Sequence, residues 1–369
     1  MLQPLPALLK SRVPAPQTEV SAWLLADFGS GWIIDGANAG ARIEPASLTK
    51  LMTGYLVFEA LSNGGITLQD QVYVSKKAWK TGGSRMFIRV DTRVSVEALL
   101  KGLIIQSGND AAVALAEHLG GSEAGFAASM NETAARLGMH NTRFVNSSGL
   151  PHPDHYSTAL DMSILTRALI RRFPDYFKIY SEREYTYNNI TQKNRNILLA
   201  RDPSVDGIKT GYTRKAGYCL IGTSERDGMR LIATVIGSKS AAARADQVYS
   251  LLQYGYAAYE SRLIYAAGSE VKSLPLWMGR EPRARVSIPS DLSVIYPKGG
   301  AHQLSGEVAL PSSLDAPLHA DQSVGAIEVK FNGATVRTAS LQVAEDYPEG
   351  ALWSRMIDWV KRLVFQVTN

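Results

Sequence analysis

Apolar and polar positions give the chain three successive textures. Two short apolar runs, Val20 to Leu25 and Trp32 to Ile34, flank the turn Asp27-Phe28-Gly29-Ser30-Gly31 and predict a β-hairpin. A loop from Asn38 to Glu44 leads into a helical run, Leu51 to Phe58, stopped by Asn63-Gly64-Gly65. Residues 66–93 are short and mixed. Val94 to Ile105 has helical periodicity, breaks at Gln106-Ser107-Gly108-Asn109-Asp110, and resumes over Ala111 to Leu119. Such a polar break between apolar helices projects Ser107 and Asn109 into a cleft. Phe126 to Leu137 reads as another amphipathic helix. After a polar loop over 144–158, Ser157 or Thr158 is placed to cap a helix running to Arg172. From residue 205 the pattern turns to β. Val205 to Gly211 reads as a strand, Tyr218 to Thr223 and Arg230 to Ile236 as a hairpin around Asp227-Gly228, and Ala241 to Glu260 as a long helix. Beyond residue 262, short β-like runs alternate with Pro and Gly. Ile327 to Phe331 and Thr335 to Val343 form a hairpin signal around Asn332-Gly333.

This order predicts an α+β domain over residues 1–262, whose N-terminal hairpin joins the later strands in one antiparallel sheet. A small all-β domain over 263–350 and a C-terminal amphipathic helix over 351–369 follow. The Pro-rich residues 1–18 read as a loose arm. In the tail, Trp353, Met356, Ile357, Val360, Leu363, Val364 and Val367 recur at steps of three and four. Arg355, Asp358, Lys361, Arg362 and Gln366 occupy much of the remaining surface, so the helix cannot span a bilayer. An amphipathic helix more commonly packs on its own core. Here its terminal position, the Pro348-Glu349-Gly350 break and the company of tryptophans and cations favour a helix lying on a membrane surface.

Composition changes this picture little. With 369 residues, 45% hydrophobic and 20% charged, the chain is an ordinary globular one with room for two domains. The net charge of +5 is scattered. No basic run or aromatic–basic interleaving points to a nucleic-acid partner. Cys219, the single cysteine, rules out an internal disulfide without identifying the compartment. Met1 to Arg12 contain two prolines and no continuous apolar core, so they do not read as an intact signal peptide. An exported protein of this sequence would be a form whose leader has been removed.

The chemistry gathers at Pro45-Ala46-Ser47-Leu48-Thr49-Lys50. Hydroxyl and amine three residues apart on a helix share a face, and a neutral Lys50 beside Ser47 can take its proton. The unpaired N–H groups of the first helical turn can meet a developing oxyanion. An isolated Ser-x-x-Lys is common and is more often a solvated surface pair. Ser47-x-x-Lys50, Ser107-Gly-Asn109 and Lys209-Thr210-Gly211, in that order, form a far more specific set. Lys80-Thr81-Gly82 precedes the Ser-Gly-Asn element and enters a glycine loop, and Ser129-Met130-Asn131 sits within a helix, so both are discounted.

On these three motifs, with Asn194-Arg195-Asn196, the Asp206-Gly207-Ile208 lead-in, the β-rich second domain and the tail, the chain resembles the active-site serine penicillin-binding proteins and β-lactamases. Within them it is most similar to the low-molecular-mass D-alanyl-D-alanine carboxypeptidases of the bacterial envelope. The resemblance implies a β-lactamase/transpeptidase-like fold and a serine hydrolase acting on peptidoglycan stem peptides and acylated by β-lactam antibiotics. It implies that Ser47 is the nucleophile and Lys50 the base, its pKa lowered by burial beside Lys209, while Ser107 relays the proton to the leaving amine. Asn109 would orient the substrate amide and Lys50, and Lys209, Thr210 and Gly211 would line the strand that the substrate pairs with. The backbone N–H groups of Ser47 and Tyr212 would form the oxyanion hole; many relatives carry His at position 212. Arg244 aligns with an arginine that helps hold the terminal carboxylate, its alternative being a solvated helix arginine.

The resemblance further implies a periplasmic enzyme held peripherally at the inner membrane by its tail, and no residue pattern in the chain points to a cofactor. Other residues carry less. His152 and His155 could suggest a metal pair, but Pro151 and Pro153 forbid the helical face that spacing needs. Gly82-Gly83-Ser84 reads equally as a cleft wall or a surface turn, and Cys219 as a core residue. Three alternatives stand beside the carboxypeptidase. One is a β-lactamase, against which the absence of a Glu-x-x-Leu-Asn element speaks. The others are an endopeptidase cutting cross-links and an inactive peptidoglycan-binding scaffold.

Overall fold

The computed structural model describes residues 2–353 and residue 355. The chain forms two compact units, Met1–Leu5 with Val13–Ala257, and Pro6–Arg12 with the chain from Ala258 onward. The first is built on a six-stranded sheet in the order β1-β3-β2-β10-β9-β8. Its strands are β1 (Gln3–Pro4), β2 (Ala22–Asp27), β3 (Trp32–Ala37), β8 (Val205–Thr213), β9 (Gly217–Arg226) and β10 (Met229–Ser238). β2 pairs antiparallel with β10, so the N-terminal hairpin joins the late strands in one sheet. Asp27 turns that hairpin, its Oδ2 accepting from the Ser30 N–H at 2.6 Å. β2 is buried along its whole length because both sheet faces are covered. On one face Gly255, in α9 (Ala241–Ala258), stands against Leu25 and Leu231. On the other, Ser163 in α6 (Ala159–Arg172) shares a hydrogen bond of 2.8 Å with Thr234.

The helical side surrounds α1 (Lys50–Ser62), where every residue from Lys50 to Phe58 is buried. Against it, besides α6, lie α3 (Val96–Ile104), α4 (Asn109–Gly120) and α5 (Glu123–Leu137), and α2 (Lys76–Lys80) packs on α4. The caps follow the sequence chemistry: Ser75, Ser95, Ser122 and Thr158 each accept a first-turn N–H. Two short antiparallel pairs complete the unit, β4 (Gln71–Tyr73) with β5 (Arg93–Ser95), and β6 (Glu184–Tyr187) with β7 (Ile190–Lys193). Asn188 and Asn189, both at positive φ, turn the second pair, a hairpin the sequence pattern does not announce. Short α7 (Pro174–Phe177) and α8 (Leu198–Arg201) link α6 to β8.

The second unit holds β11 (Tyr259–Tyr265), β12 (Glu270–Trp277), β13 (Arg283–Ser287), β14 (Leu292–Pro297), β15 (Leu304–Ala309), β16 (Leu314–Asp315), β17 (Ser323–Phe331) and β18 (Ala334–Val343). β11 pairs with β14, and the rest form a six-stranded sheet in the order β15-β17-β18-β13-β12-β16. The β17–β18 hairpin turns at Asn332-Gly333 as its sequence predicts.

Residues 1–18 are not a loose arm. Gln3 and Pro4 pair parallel with Trp32 and Ile33, and Leu2 packs on Leu24 and Ala26. Leu9 is fully buried in the second unit, where the Ser11 N–H donates to the Tyr259 hydroxyl at 3.0 Å. The apolar Leu2, Leu5 and Leu9 outweigh the prolines, because a proline is tolerated on an edge strand. No helix among the described residues is long and apolar enough to cross a membrane. The predicted amphipathic helix at 351–369 lies, beyond residues 351–353 and 355, outside the described residues.

Candidate active site

A 3₁₀ turn, Ala46–Thr49, carries Ser47 and runs straight into α1, so Lys50 opens the helix directly behind the hydroxyl. The Lys50 Nζ donates to three oxygens: Ser47 Oγ at 3.1 Å, Asn109 Oδ1 at 2.6 Å and the Ser148 carbonyl at 2.6 Å. Lys50 is only 1% exposed. Burial, reinforced by the Arg195 guanidinium and opposed by the Asp110 carboxylate, lowers its pKa to about 7. A neutral amine keeps two N–H bonds for Asn109 and Ser148 and turns its lone pair to Ser47. That is the arrangement of a general base.

The helix break does what its sequence predicts. Ser107 takes a positive φ and Asn109 opens α4, bringing both side chains to the Lys50 amine and its surroundings. The Lys209 Nζ, on β8, donates to Ser107 Oγ at 2.8 Å and to the Thr210 carbonyl at 3.0 Å. Burial pushes Lys209 well below the usual lysine range, and Lys50, Arg195 and Arg244 add repulsion. Thus the cation acting on Lys50 besides its burial is Arg195, while repulsion between the two amines bears on Lys209. A carboxylate arriving beside Lys209 would favour its charged form.

Asn109 is held from both ends, its Nδ2 donating to the Gly82 carbonyl at 2.6 Å and its backbone N–H to the Ser84 carbonyl at 2.7 Å. A Cβ on Gly83 would stand 2.6 Å from that Nδ2, at a positive φ. Gly83 and Ser84 therefore wall the cleft. Asp110, buried, gathers the N–H groups of Met86, Phe87 and Ile88 and so ties this wall to α4.

β8 ends the sheet and packs its Gly211 against the nucleophile turn, where a Cβ would meet Ala46 Cβ at 3.2 Å. Arg244, in α9, is 7% exposed and not a solvated arginine. Its Nη1 donates to the carbonyls of Gly211 at 3.0 Å and Cys219 at 3.3 Å, and it lines the cleft. Behind the turn, Gly149 sits at φ +83°, where a Cβ would come 1.8 Å from the Ala46 carbonyl oxygen. His155 Nδ1 accepts from the Val145 N–H at 3.2 Å, which leaves Nε2 to donate to Thr49 Oγ1 at 2.8 Å. Burial lowers its pKa to about 4, so the ring is neutral, and both nitrogens serve hydrogen bonds. Cys219 is a buried strand residue.

Ser47, Ser107, Asn109, Thr210, Tyr212 and Arg244, among others, line one cleft of about 990 Å³ in the first unit, with the Lys50 and Lys209 amines buried on Ser47 and Ser107. The three motifs, separate in sequence by 162 positions from Ser47 to Lys209, thus meet in one place. In the sequence, Arg195 stands within Asn194-Arg195-Asn196 but is given no role; its Nε donates to the Gln106 carbonyl at 3.3 Å and it lines the cleft. Its signal is a cation between two asparagines, just ahead of α8. The Ser148 carbonyl carries no sequence signal, because any residue supplies a carbonyl.

A serine hydrogen-bonded to a buried lysine, on an α+β frame with a Lys-Thr-Gly edge strand, is the arrangement of the active-site serine penicillin-binding proteins. The sequence pattern of the D-alanyl-D-alanine carboxypeptidases (peptidase family S11) matches residues 10–240, and that of the penicillin-binding protein 5 C-terminal domain matches residues 259–349. The chain belongs to this D-alanyl-D-alanine carboxypeptidase family. The D-alanyl-D-alanine carboxypeptidase DacA of Escherichia coli K12 is 38% identical over 362 residues, covering 96% of this chain and 90% of that protein. Penicillin-binding protein 5 from Haemophilus influenzae superposes with a TM-score of 0.83 at 38% identity, covering 91% of this chain and all of that one. Ampicillin-bound penicillin-binding protein D2 from Listeria monocytogenes superposes with a TM-score of 0.61 at 31% identity, over 66% of this chain and 100% of its own.

Proposed function

We propose that this chain is a serine D-alanyl-D-alanine carboxypeptidase that removes the terminal D-alanine from peptidoglycan stem peptides through an acyl-enzyme and is acylated by β-lactams. The observation that carries the reading is the buried Lys50 amine, with two fixed acceptors and its third direction on Ser47 Oγ. Neutral Lys50 takes the Ser47 proton as Oγ attacks the carbonyl between the two D-alanines. The backbone N–H groups of Ser47 and Tyr212 receive the oxyanion, where one such donor lowers a barrier by roughly 3–4 kcal/mol. Ser107 passes the proton to the leaving amine. Asn109 holds Lys50 and the substrate amide, and Lys209, Thr210, Gly211 and Arg244 receive the substrate strand and its carboxylate. Water then resolves the ester.

The same reading assigns catalysis to residues 1–262, a small β domain to 263–350 and a membrane-surface anchor to 351–369. It locates the protein on the periplasmic side of the inner membrane, as family resemblance and the amphipathic tail suggest. β-Lactam binding is supported by the likeness to the ampicillin-bound protein. D-alanine release from a peptide ending in D-Ala-D-Ala tests the activity. Release with slow turnover of penicillin is expected. Rapid penicillin turnover without D-alanine release would identify a β-lactamase, and neither signal would identify an inactive scaffold.

A further inference from the structure

Of the large apolar side chains exposed among the described residues, two line the cleft: Leu150, 39% exposed, and Tyr212, 52% exposed. The proposed mechanism uses only the backbone of Tyr212 and leaves its ring unassigned. That ring is held in place. Tyr212 and Tyr218 are direct cross-strand partners in the β8–β9 register, with ring centroids 4.4 Å apart and planes inclined by 37°. The Arg244 guanidinium lies 5.6 Å from the centre of the Tyr218 ring and is itself fixed on the Gly211 and Cys219 carbonyls. Guanidinium, inner ring and outer ring form one stack, whose outer member stands in the cleft. An aromatic ring fixed there while half-exposed keeps apolar surface that a ligand can cover.

The direction of the substrate along β8 follows from the roles proposed above for Lys209, Thr210 and Gly211. Its terminal carboxylate belongs at Lys209 and Thr210 and its scissile carbonyl beside Gly211, which abuts the Ser47 turn. A chain running antiparallel to β8 therefore carries its acyl portion past Tyr212. We propose that Tyr212 is a specificity-determining residue whose ring, seated on Tyr218, receives an apolar or aromatic side chain on the acyl side of the scissile bond. Leu150 supplies a second apolar surface in the same cleft. The proposal rests on the acyl-enzyme reading above, since it concerns which acyl donors react fastest with Ser47.

A pair of penicillins separates the ring from the backbone. In each, Ser47 Oγ bonds to the lactam carbonyl carbon, the lactam C–N bond breaks, and the Ser47 proton ends on the ring nitrogen. Benzylpenicillin carries an aryl side chain on the acyl side and 6-aminopenicillanic acid carries none, whereas both use the same oxyanion donors. Their second-order acylation rates are measured on the full chain, on Tyr212→Ala and on Tyr212→Phe. The ratio of benzylpenicillin to 6-aminopenicillanic acid should fall roughly tenfold in Tyr212→Ala, the scale of one aromatic contact, and survive in Tyr212→Phe. Taking the ratio cancels any disturbance of the oxyanion hole or of folding that affects both compounds alike. An unchanged ratio in Tyr212→Ala, or an equal fall in Tyr212→Phe, overturns the assignment. Absence of any adduct in the unaltered protein would instead overturn the acyl-enzyme reading, and this proposal with it.

Discussion

Lys50 has three acceptors and, when charged, a hydrogen for each. Protonation therefore decides whether Ser47 faces a donor or a base. With a pKa lowered to about 7, the neutral form dominates above that pH and is lost as pH falls through it. Acylation by penicillin should accordingly fall by about tenfold per pH unit below 7 and level off above it, which a stopped-flow pH profile of the free enzyme checks. Lys50→Arg should fail nearly as badly as Lys50→Ala, because a guanidinium stays protonated. Retained acylation in Lys50→Arg would make the lysine a fixed charge and not a base. At this scale the sequence is most informative where a side chain has a motif. Ser47, Lys50, Ser107, Asn109 and Lys209 were all legible. The Ser148 carbonyl was not, since a backbone acceptor leaves no compositional trace. Arg195 was visible as a neighbour of two asparagines, but its electrostatic action on Lys50 depends on the fold bringing them together.

Between residues and molecule stand the elements that press on the nucleophile turn. Two side chains shape the loop carrying Asn146 to Pro151: Asn146 Oδ1 accepts from the N–H groups of Ser148 at 3.2 Å and Gly149 at 2.7 Å, and Glu123 Oε1 accepts from the N–H and hydroxyl of Ser147 at 3.1 and 2.9 Å. It presents the Ser148 carbonyl to Lys50 and brings Gly149 against Ala46. Gly149→Ala would need both a left-handed backbone, costing about 1–2 kcal/mol, and the space of the Ala46 oxygen. The variant should melt several degrees lower and lose most of its penicillin acylation, measured by calorimetry and adduct formation; wild-type values for both would mean the loop does not hold the turn. Element reading from sequence worked where periodicity was long or a turn was strong, as in α3, the β9–β10 turn at Asp227-Gly228 and the β17–β18 turn at Asn332-Gly333. It missed β1, because a two-residue strand that itself contains a proline gives no period, and the β6–β7 hairpin, because Asn-Asn is a weaker turn signal than Asn-Gly.

For the whole molecule, the α+β frame with its late hairpin returning to the N-terminal one was readable from the order of textures, and the family match agrees with it. Strand order in the second unit was not readable, since pairing of short strands depends on contacts distant in sequence. The tail reading leads to its own test. Truncation after Gly350 should leave D-alanine release from small peptides intact and remove binding to anionic vesicles. Vesicle binding equal to that of the full chain would mean that the tail is no anchor. The central claim, that this molecule works by acyl transfer to Ser47, is tested most directly by mapping the adduct of labelled penicillin by mass spectrometry in the full chain and in folded Ser47→Ala. One adduct, on Ser47, is expected in the full chain, and none in the variant. An adduct on another serine in Ser47→Ala, such as Ser107, would contradict it.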